Sequence, residues 1–147
     1  MQTLAHKLGF SFSIPDTWEL ASNKIKDEFS PYVLYRFIDK NDNDLLVLFE
    51  GFIPLTILDE YYADAFMTIR RANDIINQEF IDFKIDGVDT QVMIVRSVNP
   101  RFNKFQIDYF FPISTKESSV GHICLMTQCI EPNADQNMQQ ILASWKY

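Results

Sequence analysis

At 147 residues the chain is long enough for one domain and too short for two of ordinary size, so we expect a single domain over residues 1–147. A composition of 47% hydrophobic and 22% charged residues excludes general disorder. The formal net charge of −7, from 13 basic and 20 acidic residues, argues against nucleic acid or an anionic membrane surface as the partner, because both attract basic patches.

Aromatic content and the N-terminus narrow the class of protein further. The 13 Phe, 6 Tyr and 2 Trp contrast with only 4 Gly, and aromatic side chains fit half-buried strands. The first residues show no charged segment followed by an apolar core, and no apolar run reaches the roughly 18 residues of a spanning helix. We therefore expect a cytoplasmic protein, rich in sheet, without direct membrane insertion.

Three strands are predicted before the first helix. The first covers residues 9–15, alternates aromatic and serine residues, and ends at Pro15, which has no N–H to donate. Residues 31–39 and 45–53 are the second and third strands, and the polar run KNDND between them predicts a hairpin turn. The third strand is almost continuously apolar, which indicates that both of its faces are covered.

A change to helical periodicity predicts an amphipathic helix over residues 56–76. Its apolar stripe comprises Leu58, Tyr61, Tyr62, Ala65, Phe66 and Ile69. Thr56 and Asp59 have the spacing of a capping box, and Arg70 and Arg71 suit the helix dipole at the other end.

Strands and a second helix are predicted after residue 76. Asp86 and Gly87 separate two β-type runs and are typical of a two-residue hairpin turn. Residues 104–113 alternate as a strand with one buried face, residues 120–130 are the last strand, and a C-terminal helix follows with Asn133 as its N-cap. The element order is β-β-β-α-β-β-β-α, with helices laid against a mostly antiparallel sheet of about six strands.

A strand that ends in Ile-Pro-x-x-Trp near the N-terminus resembles the PsbP-like superfamily, which includes the Ran-binding Mog-type proteins and the DcrB-like bacterial proteins. The matching residues are Phe12, Ile14, Pro15 and Trp18 at the start and Ser144 and Trp145 at the end. The order of elements is also similar. The resemblance implies a three-layer α/β/α sandwich, so that the single domain is a PsbP-like domain.

The resemblance also implies a class of function. Members of the superfamily are partner-binding or accessory modules more often than enzymes. One bacterial branch consists of cytoplasmic chaperones for type VI secretion effectors, which cradle the transmembrane segments of those effectors on the sheet. A short, acidic chain without a signal peptide suits that branch.

Metal and disulfide sites are not expected. Residues 39–50 place acidic and amide residues as in an EF-hand, but Asp44 stands where the loop needs Gly and the flanks are strands, so we expect a polar hairpin turn. Cys124 and Cys129 are five residues apart, which puts the two thiols on opposite faces of one strand. Their spacing matches no zinc pattern.

No catalytic or cofactor-binding residues are predicted either. The sequence contains no G-x-S-x-G, G-x-G-x-x-G, Walker or H-E-x-x-H motif. His6 and His122 have no Ser, Cys or Asp at a known catalytic spacing, and we expect both to be structural or exposed.

Aromatic side chains are the remaining candidates for binding. We predict Trp18, Tyr32, Tyr35 and Phe110 as partner-binding residues. Phe110 shares the polar-looking face of its strand with Asp108, so an exposed ring there would contribute to a binding surface. The alternative is that a helix covers this second face and buries Phe110.

The hypothesis from the sequence is a non-catalytic chaperone or accessory protein that buries an apolar segment of a protein partner against an aromatic sheet face. A small-molecule or lipid-binding domain is one alternative, and it predicts a deep closed cavity between sheet and helix. An enzyme with an unrecognised site is another, and it requires a polar cluster around His122 or acids in a cleft. The sequence leaves a homodimer open.

Overall fold

Strands dominate the computed structural model, which describes residues 1–21, 33–131 and 134–147, without the side chains of residues 114–116. The strands are Gln2–His6 (β1), Phe10–Ile14 (β2), Glu19–Leu20 (β3), Val33–Ile38 (β4), Asp44–Pro54 (β5), Asp74–Ile85 (β6), Val88–Asn99 (β7), Lys104–Lys116 (β8) and Ser119–Cys129 (β9). The helices are Leu58–Ala72 (α1), which follows a 3₁₀ turn at Leu55–Ile57, and Asp135–Ser144 (α2). In this described part of the chain, neither helix has the length and hydrophobicity that crossing a membrane requires.

Seven of these strands form one antiparallel sheet in the order β3-β4-β5-β9-β8-β7-β6. The remaining two, β1 and β2, form a separate antiparallel hairpin. The chain leaves the interior of the sheet at the end of β5 and re-enters it at the outer edge with β6. The intervening helix α1 therefore crosses one face of the sheet.

Both faces of the sheet are covered, which confirms the three-layer α/β/α sandwich. On one face, Phe37, Tyr109 and Leu125 belong to a large core that also includes residues of α2 and β2. On the other face, Met93 and Phe110 belong to a smaller core under α1. Alternation along the strands produces this division, because neighbouring side chains point to opposite faces.

The two predicted hairpin turns are confirmed. The Asp39 carboxylate accepts hydrogen bonds from the backbone N–H groups of Asn41 and Asn43, at 2.9 and 3.0 Å, in the turn between β4 and β5. The turn between β6 and β7 has φ values of 50° at Asp86 and 77° at Gly87. These positive angles are what a two-residue hairpin turn needs.

Helix α1 is shorter than predicted at both ends. Thr56 lies in the 3₁₀ turn and Ile57 occupies the N-cap position without a side-chain cap bond, so the predicted capping box is wrong. At the other end Asn73 is extended, with φ −127° and ψ 157°. Its buried amide donates to Ser97 Oγ on β7 at 3.0 Å. The helix ends at this tertiary hydrogen bond, whereas the sequence periodicity had predicted that it would continue to residue 76.

The predicted element order is wrong in its strand count: among the described residues five strands precede α1 and four lie between the helices, where three and three were predicted. The described large sheet carries one strand more than the expected six or so. The two-residue strand β3 is too short to show a period, and β1 lies in a terminal segment where no element was predicted. The predicted first strand is β2, and it pairs with β1 rather than joining the large sheet. The alternation of β2 predicts a strand but does not indicate which other strand it pairs with.

Helix α2 begins at Asp135, with Ala134 in the N-cap position and no side-chain cap bond. The predicted cap, Asn133, lies outside the described residues. Met138, Ile141 and Leu142 share one face of α2 and are fully buried.

The two ends of the chain that carry the family resemblance are in contact. The Ser144 hydroxyl accepts a hydrogen bond from the backbone N–H of Ser13 at 2.8 Å. The ring of Trp145 stacks on Phe12 with 4.9 Å between centroids, and Trp18 lies buried in the same core. The residues of the resemblance therefore form one packing unit.

Candidate functional site

A groove of about 520 Å³ lies between α1 and the sheet. The sheet residues that line it share one face and are Leu48, Glu50 and Ile53 of β5, Asp108 and Phe110 of β8, and Cys124 and Met126 of β9. From α1, Tyr61, Ala65 and Ile69 form the opposite wall. The sheet does not bury the whole apolar stripe of α1: Ile69 is its one buried residue, and the partly exposed Tyr61 and Ala65 of the stripe face the groove.

A β-bulge in β5 brings Ile53 to the same face as Leu48 and Glu50. In the pairing with β9, Phe49 faces Ile123 and Gly51 faces His122, which leaves Glu50 as the extra residue. Gly51 has φ +97°, a conformation that side-chain-bearing residues rarely adopt. The bulge shifts the alternation by one residue, since bulges locally re-aim side chains. Glu50 and Ile53 consequently line the same groove although their separation is odd.

Tyr61 connects the helix to this carboxyl group. Its phenolic O–H donates to Glu50 Oε1 at 3.1 Å. Burial raises the pKa of Glu50 above its ordinary value, and the hydrogen bond from Tyr61 offsets part of that rise. Burial together with the nearby Glu50 charge raises the pKa of Tyr61, so the phenol remains the donor.

A second carboxyl group, Asp108, lies at the floor of the groove and is 3% exposed. It accepts hydrogen bonds from Gln106 Nε2 at 2.9 Å and from the Cys124 thiol at 3.5 Å. Burial raises the pKa of Asp108 to about 7, despite the two hydrogen bonds, and the nearby Glu50 charge adds to the rise. Burial therefore favours the protonated form of this carboxyl group well above the pH at which an exposed Asp ionises.

The hydrogen bonds continue from Asp108 to the end of α1. Gln106 Oε1 accepts from Asn73 Nδ2 at 2.9 Å and from Gln128 Nε2 at 3.0 Å. Asn73 also donates to Ser97, as described above. The network satisfies polar groups that would otherwise be costly to bury between helix and sheet.

His122 is buried near Tyr61 and Tyr62 rather than exposed. Its Nδ1 lies 3.1 Å from the carbonyl oxygen of Val120, which can only accept, so Nδ1 carries the proton. In the neutral ring Nε2 then accepts from the Tyr62 hydroxyl at 2.7 Å. Burial lowers the pKa of His122, and both ring nitrogens are engaged.

The rim of the groove is acidic. Glu60 and Asp64 of α1 line its exposed side, and Glu50 and Asp108 lie inside. The described lining contains no Lys, Arg or His, and none of the four carboxyl groups forms an ion pair within the described chain. Among the same residues there is no group of three or more His, Cys, Asp or Glu side chains that could hold a metal ion.

This architecture is similar to that of a solved structure. The solution structure of cyanobacterial PsbP (CyanoP) from Synechocystis sp. PCC 6803 matches with a TM-score of 0.57 and 18% sequence identity, over 99% of this chain and 91% of that chain. The fold is PsbP-like. No family model matches the sequence, and no curated protein matches it.

The PsbP-like fold separates the predicted binding aromatics. Phe110 lines the groove but is only 3% exposed, because α1 covers that face. This confirms the alternative given for Phe110, in which a helix buries it. Trp18 is buried in the large core on the opposite face, and the half-buried Tyr35 packs there at 5.5 Å from Phe12. Tyr32 lies outside the described residues. An exposed aromatic sheet face is therefore not formed by Trp18, Tyr35 and Phe110.

The polar residues of the groove were not singled out from the sequence as a site. Glu50 is the one charged residue in the apolar run 45–53, and it precedes Gly51. Asp108 has a similar position in the aromatic strand 104–113. A carboxylate within a buried strand is rare unless it is paired, and that was the available signal. Cys124 and Cys129 do lie in different cores, as their spacing predicted.

Proposed function

We propose that this PsbP-like chain is a non-catalytic binding protein that takes an apolar segment of a protein partner into the groove between α1 and the sheet. The observation that carries the proposal is the apolar lining, in which Leu48, Phe110, Met126 and Ile69 surround a volume of about 520 Å³. Burial of partner side chains against this surface provides the driving force.

The 3₁₀ turn before α1 also exposes apolar side chains. Ile57 lines the edge of the groove and is 40% exposed, and Leu55, two residues earlier in the 3₁₀ turn, is 51% exposed. A segment of polypeptide is long enough to cover both the groove and this turn. Exposed apolar side chains beside an apolar groove are typical of a binding surface.

A small amphiphilic molecule or lipid is the second candidate ligand. The volume of about 520 Å³ is within the range of small-molecule sites, roughly 300–1,000 Å³. This ligand would fill the groove without covering Leu55.

The chemistry of the groove argues against catalysis. Cys124 is the nucleophile type closest to Asp108, but burial raises the pKa of its thiol well above the ordinary value, and the thiolate is the reactive form. His122 does not line the groove and already uses both ring nitrogens. The acids in the cleft thus lack an accessible partner for acid–base or nucleophilic chemistry.

The more specific role in this proposal is that of a cytoplasmic chaperone for a secretion effector. Superfamily members of that kind bind apolar segments, and the buried free thiols Cys124 and Cys129 are compatible with a reducing compartment. An effector gene beside this one, with an apolar segment that the protein binds, supports the role; a neighbourhood of metabolic genes favours the small-molecule ligand.

A titration with labelled apolar peptides tests the proposal. Fluorescence anisotropy of the peptide is the readout, since Trp18 and Trp145 lie in the opposite core and report poorly on the groove. Ala65→Trp fills the groove from α1 and should abolish binding. Ala63→Trp places the same ring two residues away, outside the groove, and should bind as the wild type does.

Two results contradict the proposal. One is that no apolar peptide binds the wild-type protein. The other is equal binding by Ala65→Trp and Ala63→Trp when circular dichroism shows both to be folded. Displacement of the peptide by a single-chain fatty acid or detergent monomer, with tighter binding of that molecule, assigns the groove to the second candidate.

A further inference from the structure

The charge in the groove narrows the identity of its occupant. The walls are largely apolar, but Glu50 and Asp108 enter from two different strands, and Glu60 and Asp64 stand on the helical rim. No cation of the described chain pairs with any of them. An occupant that is apolar throughout would bury the inner carboxyl groups further without compensation, which is costly.

We propose that the occupant is a basic amphipathic segment of a partner protein, which packs apolar side chains against Leu48, Phe110 and Met126 and directs one Lys or Arg side chain to Glu50. This inference rests on the proposed function and specifies the partner's chemistry. Glu50 is the inner carboxyl group that the partner's cation reaches, because within the described residues only one of its two oxygens accepts a hydrogen bond, from Tyr61, and the group is only partly buried.

Asp108 contributes to cation binding through its electrostatic field rather than by direct contact with the cation. It is almost completely buried and both of its oxygens already accept hydrogen bonds, from Gln106 and Cys124. A cation at Glu50 would nevertheless favour the ionised form of Asp108, because an opposite charge nearby lowers a carboxyl pKa. The other titratable groups that face this position are Tyr61 and Cys124, together with Glu60 and Asp64 at the rim.

Three labelled peptides with one shared apolar pattern test the inference. They differ at one position, which is Lys, its neutral isostere norleucine, or Glu. In the wild-type protein the Lys peptide should bind about ten-fold more tightly than the norleucine peptide, the scale of one charge-assisted contact. The Glu peptide should bind most weakly, since like charges repel in a site with little water.

Variants locate the source of this preference. Glu50→Gln should reduce the advantage of the Lys peptide to within about two-fold while the norleucine peptide binds at least as well as before. Glu131→Gln makes the same change at an exposed residue outside the groove and should leave the advantage intact. Proton release provides a measurement that needs no variant: near neutral pH the Lys peptide should displace protons from Asp108, and calorimetry in buffers of different ionisation enthalpy detects them.

The outcomes separate the two proposals. Equal affinity of the Lys and norleucine peptides for the wild-type protein overturns the basic-segment inference and leaves the binding groove in place. Retention of the Lys preference in Glu50→Gln overturns it as well. Failure of all three peptides to bind overturns the proposed function itself.

Discussion

Tyr61 on α1 donates a hydrogen bond of 3.1 Å to Glu50 on β5, so the helix and the bulged strand are joined across the groove that they enclose. Neither residue indicates a site by itself, because Tyr61 belongs to the apolar stripe of the helix and Glu50 interrupts an apolar strand. Together they place a partly buried carboxyl group opposite an apolar wall.

Removal of this hydroxyl should be measurable. In Tyr61→Phe the carboxyl group of Glu50 loses its donor, and we expect a loss of about 1–2 kcal/mol in the free energy of unfolding. Urea denaturation provides the value. Tyr35→Phe is the matched control, since its hydroxyl makes a long, exposed contact of 3.5 Å with Ala5, and should change stability by less than about 0.5 kcal/mol. Equal stabilities of the two variants would show that the Tyr61–Glu50 bond contributes nothing.

Asp108 should make the protein less stable as the pH rises. The folded state holds the pKa of Asp108 at about 7, above its ordinary 3.8, so the folded protein binds this proton more tightly. The contribution of Asp108 to the free energy of unfolding is fully present below pH 3.8 and is lost as the pH rises through about 7. The stability of Asp108→Asn relative to wild type should therefore increase between pH about 4 and about 7 and level off above that, by a change on the order of 2–4 kcal/mol.

Denaturation series at several pH values check this expectation. Asp82→Asn, at an exposed position on β6, makes the same substitution and should keep the wild-type pH dependence. A parallel pH dependence in wild type and Asp108→Asn would contradict the raised pKa of Asp108.

His122 should act in the opposite direction. Burial lowers its folded pKa below the ordinary 6.5, so the unfolded chain takes up a proton that the folded protein rejects. Stability from neutral His122 is present above pH 6.5 and declines as the pH falls below that value. His122→Gln in the Asp108→Asn background should remove this acid-side decline, as urea titrations at stepped pH will reveal. Persistence of the decline without His122 would assign it to other groups.

Trp145 should be among the most sensitive positions for stability. Its ring is fully buried, stacks on Phe10 and Phe12 at 4.9 Å each, and meets Phe111 edge-on at 4.9 Å. Trp145→Ala should cost on the order of 3–5 kcal/mol, because it opens a cavity in the large core. Thermal and urea unfolding measure the loss, and Phe102→Ala, at a ring that is 56% exposed, should cost less than about 1 kcal/mol. Similar costs for the two would contradict the packing described.

Local pattern determined most of the elements. The alternation of residues 104–113 predicted the strand β8, although both of its faces are buried rather than one, and the Asp86-Gly87 pair predicted the hairpin between β6 and β7. The stripe of α1 was correct although both helix ends were not. These features depend on neighbours in sequence, where periodicity and turn chemistry act directly.

Only the tertiary structure decided the site. The pairing of β5, β9 and β8 as neighbours, the one-residue bulge in β5 and the path of α1 across the sheet together form the groove, and no local period encodes these features. The same holds for Phe110, whose strand face was clear from the sequence while its burial depended on where the helix lies. The sequence by itself determined faces and turns, because these follow from backbone geometry. Burial, the raised pKa of Asp108 and the groove arise from distant elements in contact, and physical proximity of that kind exists only in the folded chain.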